Sequence, residues 1–219
     1  MSGNKNILSI QEGHTEKKLY LSYLIYKLEN ITKNMDLQQL LNKWGIKCDV
    51  NTLLSMWNES HRHYHNLNHL NDLLDMINEN QSKYSQNEYE KLILTALFHD
   101  CVYDPMRNDN EEKSAEFFIE CLTDKSNSEL LEVKQMILDT KTHQPNTKLS
   151  ESFINYDMSI VERNFEDLLE WEKGIREEYK AYGEEYKEGR LKFLESLLDK
   201  YPNNTENLLK LVDWVKENY

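Results

Sequence analysis

SHRHYHNLNHLNDLLDMI, residues 60–77, carries four histidines within nine positions of a chain that has seven in all. Leu67, Leu70, Leu74 and Ile77 recur at spacings of three and four, which predicts a helix over about 64–77 with one apolar stripe. His65 and His69 are four apart, so on that helix both imidazoles fall on one side and can face one pocket. His61 joins them only if the helix starts a turn earlier. A second stretch, LILTALFHDCVYDP at 92–105, places His99 and Asp100 at the end of a run apolar enough to be buried on every side. Burying a carboxylate without a partner costs roughly several kcal/mol. A divalent first-row cation is one suitable partner, because imidazole nitrogen and carboxylate oxygen together suit such ions. An aspartate capping a neighbouring helix, with its histidine bonded to a carbonyl, is the structural alternative.

The rest of the chain also reads as helical, and the fold class expected is all-α. Only six Gly and three Pro occur, and the breakers fall between segments with helical apolar spacing. Helices are expected over about 16–31, 37–44, 52–60, 64–77 and 88–101. The segment YDPMRNDN then breaks the chain, and Asp109 with Glu112 fits a capping box for EEKSAEFFIECL. Ser128 is the expected cap of the next helix, which runs to about Lys141. After a short segment carrying Asp157, long charged helices are expected over about 165–182 and 184–200, and a last one over 205–217. No repeat or linker divides the chain, so one domain spanning 1–219 is expected. Its metal-site core would cover about 57–160, with helices of 164–219 packed on it.

Charge and cysteine usage limit the partners. A formal charge of −13 would set a nucleic acid or an anionic membrane against a repulsive field. The apolar stretch at 19–28 is about half the length needed to span a bilayer. Cys48, Cys101 and Cys121 are odd in number and contain no CxxC, which suggests reduced thiols. A soluble cytoplasmic protein with no membrane partner is the expectation.

The strings YHNLNHL, ALFHDCVYDP, DNEEKSA and NYDMSIV occur in an order and at separations that resemble the HD-domain metal-dependent phosphohydrolases, over roughly residues 57–190. The likeness is to a group of small bacterial predicted phosphohydrolases, and HNLNH is also similar to the HNxxH signature of the cyclic-nucleotide phosphodiesterases. The resemblance implies an HD-type helical bundle with one or two divalent ions, from among Mn, Fe, Zn, Mg, Ni and Co. It implies His69, His99, Asp100 and Asp157 as ligands and His65 as the catalytic histidine that protonates the leaving oxygen. The alternative, His65 as first ligand with His69 behind it, stays open at this point. An N-cap for the following turn is the structural alternative for Asp157.

Glu111 and Asp104 follow the HD pair and are candidates to act on the attacking water, although capping and turn formation also account for Asp104. Substrate phosphate needs local cations in an acidic protein, and Arg62, Lys141 and Arg190 are the candidates, with Arg107 more easily read as a surface charge. His143 falls where some HD enzymes supply a histidine to a second metal or to substrate. HDCVYD replaces the HDxxED string of the guanosine tetraphosphate hydrolases, and no GYP string occurs. A small, nucleotide-like phosphorylated substrate is therefore the expectation. Tyr179, Tyr182 and Tyr186 at helical spacing could stack on a base or fill a core. Two other classes remain: a nucleotide-binding module that keeps a metal without turnover, and an interaction protein whose charged helices dock a partner.

Overall fold

The computed structural model describes residues 36–219, and the helix expected over 16–31 lies outside them. Among the described residues the secondary structure is helical, with an isolated bridge between Ile46 and Leu122 in place of any strand. Ten α-helices follow in order: α1 Leu37–Lys43, α2 Val50–Trp57, α3 Leu67–Glu79, α4 Gln86–Phe98, α5 Asn110–Glu120, α6 Ser128–Asp139, α7 Lys148–Asp157, α8 Phe165–Glu178, α9 Glu185–Lys200 and α10 Thr205–Asn218. None is long and apolar enough to cross a membrane.

Helix α4 is the centre of the packing and touches α3, α6 and α7. Ser85 and Glu88 close its first turn in a reciprocal capping box, and every residue from Tyr89 to Phe98 is buried. Its polar members are paired: Glu90 takes Lys43 Nζ at 2.6 Å and Trp44 Nε1 at 2.7 Å, and Lys91 donates to Glu132 at 2.6 Å. Trp57, Phe98, Phe118 and Phe153 fill the first apolar cluster around this helix. A second cluster, from Ile154 to Val215, joins α8, α9 and α10 through Leu168, Trp171, Leu194, Leu208 and Leu211. The end of α7 lies where the first cluster gives way to the second, and Asp157 is its last residue.

Several helix ends differ from expectation, and side-chain capping explains them. Helix α3 starts at Leu67 because Asn66 is extended and its side chain accepts from the Asn68 N–H at 2.8 Å. His65 therefore sits in the turn before the helix and not on its face. Asp109 does not cap α5 with its side chain; its carboxylate binds Arg107 at 2.7 and 2.6 Å, while Glu112 pairs with Lys141 at 2.5 Å. Asn127, not Ser128, caps α6, accepting from Glu129 N at 3.0 Å. Helix α4 ends at Phe98, so His99 is its C-cap and Asp100 begins the loop. The three cysteines are free and buried.

Candidate metal centre

Four elements deliver the site. His69 comes from the first turn of α3, His99 and Asp100 from the end of α4, Asp157 from the end of α7, and His65 from the turn that α8 holds in place. Position 99 is set by the helix end: its N–H bonds to Thr95 O at 2.9 Å, and ring Nδ1 lies 3.0 Å from Ala96 O. Nδ1 donating to that carbonyl directs Nε2 toward the carboxylates, where a proton or a metal ion can occupy it. Trp57 and Phe153 pack on the ring at centroid distances of 5.3 Å each and fix its plane.

His69, His99 and Asp100 bring one ligand atom each within 4.8 Å of one another, and this cluster can hold a metal ion. Asp157 Oδ1 lies 3.1 Å from His69 Nε2 and 3.7 Å from His99 Nε2, while Asp100 Oδ2 lies 3.3 Å from His99 Nε2. The Nε2 atoms of both histidines are buried and make no hydrogen bond. Two orphaned imidazole nitrogens facing two carboxylates fit a divalent cation, since each gains from the ion what the protein leaves unmet. The protonation energetics agree. Burial pulls the His99 pKa down, yet Asp100 and Asp157 outweigh it and raise it to about 10. Burial likewise opposes ionisation of the two aspartates, and the imidazoles beside them hold both carboxyls below the usual range. Positive charge is favoured at this point.

His65 is held by a bracket that the sequence does not announce. Glu178 Oε1 accepts the backbone N–H groups of His63, Tyr64 and His65 at 2.7, 2.7 and 2.9 Å. Its Oε2 lies 2.7 Å from His65 Nδ1 and accepts Tyr103 OH at 2.7 Å. With Nδ1 donating to Glu178, Nε2 is the atom left for chemistry. Burial lowers the pKa of this imidazole, and the Glu178 bond and charge reverse that and raise it. The signal for Glu178 was its phase: Leu168, Trp171, Ile175 and Glu178 share the buried stripe of α8, where an unpaired carboxylate would be costly.

A pocket of about 150 Å³ opens beside the cluster, lined among others by His65, Asp100, Glu111, Lys141, His143 and Asp157. Glu111 is half-buried there; burial, with Asp100 adding to it, raises its carboxyl pKa. His143 adopts a left-handed φ of 51°, a conformation costing roughly 1 kcal/mol that non-glycine residues keep where surroundings enforce it. Burial chiefly lowers the pKa of its imidazole, which favours a neutral ring.

Arg62 is corrected from a phosphate contact to a brace. Its side chain is fully buried and donates to His65 O at 3.0 Å, Asp100 O at 2.8 Å and Cys101 O at 3.0 Å, so it ties the His65 turn to the loop after α4. Arg62→Ala strands three carbonyls and should lower unfolding stability by about 3 kcal/mol, read from the urea midpoint. Arg190 is also buried, pairs with Glu172 at 2.5 Å and stacks on Trp171 at 4.3 Å; it lines a larger neighbouring cavity and not the small pocket. Asp104 serves its turn, accepting from Met106 N at 2.9 Å. In comparisons with known proteins, no family model matches this chain, and neither does any curated protein or solved structure.

Proposed function

We propose that the protein is a metal-dependent phosphohydrolase that cleaves a phosphomonoester or phosphodiester bond in a nucleotide-like small molecule. The observation that carries this reading is the pairing of two orphaned imidazole nitrogens and two carboxylates with a separately bracketed histidine, His65, whose ring lies 6.1 Å from that of His69. His69, His99, Asp100 and Asp157 would hold one or two divalent ions. Such an ion, when bound, polarises a phosphoryl oxygen and lowers the pKa of water from about 15.7 to around 7.

The chain's own groups supply the rest. His65 carries a proton on Nε2 while Glu178 stabilises the imidazolium, so it can protonate the departing oxygen near neutral pH. Glu111, whose carboxylate burial makes more basic, can take a proton from the attacking water. Lys141 lines the pocket, where a phosphate would compete with Glu112 and the Asn108 carbonyl for its Nζ. Neutral His143 can accept a hydrogen bond or bind a second ion.

Hydrolysis of phosphomonoesters, read as phosphate release, and of phosphodiesters, read as release of the alcohol, by the protein loaded in turn with Mn, Fe, Zn, Mg, Ni and Co tests this reading. Turnover of a phosphoester that His99→Ala loses supports it. Metal retention without turnover of any phosphoester overturns the enzyme and leaves a nucleotide-binding module.

A further inference from the structure

The 150 Å³ pocket beside the metal cluster holds little more than a phosphoryl group, so the remainder of a substrate must lie outside it. A cavity of about 590 Å³, within the usual size of small-molecule sites, shares Glu111 and Lys141 with that pocket. Its far wall is aromatic. Tyr179, Tyr182 and Tyr186 line it, with ring centroids 5.8 Å apart for the first pair and 6.1 Å for Tyr179 with Tyr186. Tyr186 OH is anchored on Glu172 at 2.8 Å.

Two further observations point to an occupant. Arg190 lines the cavity and is buried, its Nε is paired with Glu172 and its guanidinium stacks on Trp171 at 4.3 Å, while its Nη2 makes no hydrogen bond. Gly189, within α9, also lines the cavity, and a Cβ built there meets nothing within 4 Å. Packing therefore does not require glycine, although glycine inside a helix costs about 0.5–1 kcal/mol relative to alanine. Its effect is to keep the space open.

We infer that this cavity binds the planar base of a nucleoside phosphate, stacked on the Tyr179, Tyr182 and Tyr186 wall, with its phosphate passing Lys141 and Glu111 to the metal cluster. This inference rests on the phosphohydrolase reading and names its substrate class. Base stacking on aromatic side chains tolerates any base, so the site selects for a base without selecting strongly among bases.

The test compares metal-loaded full-length protein with Gly189→Leu, which fills the cavity from open space, and with Tyr182→Ala. Substrates are adenosine, guanosine, cytidine and uridine 5′-monophosphates beside glycerol 3-phosphate. The ratio of kcat/KM for nucleotide to that for glycerol phosphate should fall about tenfold in each variant. An unchanged ratio overturns the base site while leaving the hydrolase reading intact. If no substrate is turned over, the hydrolase reading fails, and equilibrium binding of the same nucleotides decides the cavity: weaker binding to Gly189→Leu supports it, and an unchanged Kd overturns it.

Discussion

Replacing His65 with alanine is expected to lower kcat for a phosphoester by about 10²–10⁴-fold and to leave metal content at the wild-type level. The two halves of this expectation come from different parts of the geometry. His65 Nδ1 is committed to Glu178, and its ring belongs to the turn before α3, whereas the orphaned nitrogens belong to His69 and His99. A proton donor outside the metal cluster is worth the usual contribution of general acid catalysis and nothing to metal binding. Steady-state kinetics together with elemental analysis of the same preparation checks both. Loss of metal in His65→Ala would reassign His65 as a ligand.

Glu178→Gln is expected to destabilise the protein by roughly 3 kcal/mol at pH 7, because it removes a carboxylate that five hydrogen bonds favour in its ionised form. Burial alone would raise the Glu178 pKa. The His65 bond and charge, the Tyr64 N–H and the Tyr103 hydroxyl outweigh it and hold the group at about 2, against an ordinary 4.5. A carboxyl depressed in the folded state stabilises fully above its unfolded pKa and loses that contribution as pH falls through the folded value. Wild type should therefore lose this contribution between about pH 4.5 and 2, and the gap to Glu178→Gln in urea midpoints should narrow over the same window. The substitution also removes the negative charge that raises His65, so the limb of the rate profile set by the proton donor moves to lower pH. A gap that does not change with pH would mean that Glu178 acts through packing alone.

Much of the helical order was legible because apolar spacing is a local property. The segments around α3 and α4 follow from Leu67, Leu70, Leu74 and Ile77 and from the apolar run ending at Phe98. The start of α3 was less legible, although Asn66 is a strong cap residue and the signal was present in HNLNH. Its effect is functional, since it moves His65 off the helix and into the Glu178 bracket. Of the four ligands expected on family likeness, His69, His99 and Asp100 form one cluster, and Asp157 Oδ1 lies beside the two histidines although α5 and α6 intervene between it and Asp100. Arg62 and Glu178 were harder to read because their roles depend on backbone groups far along the chain: the carbonyls after α4 for one and the amides of 63–65 for the other. A sequence marks charge and phase, and it does not mark which distant carbonyl or amide a buried charge will meet.

Elemental analysis of untagged full-length protein purified without chelator, with Asp100→Ala alongside, tests the central claim most directly. About one or two equivalents of a divalent first-row metal or magnesium per chain in the wild type, lost or strongly reduced in Asp100→Ala, is the predicted result. No metal in either protein, even after incubation with manganese, iron, zinc, nickel, cobalt and magnesium salts, would contradict it and make the clustered histidines structural.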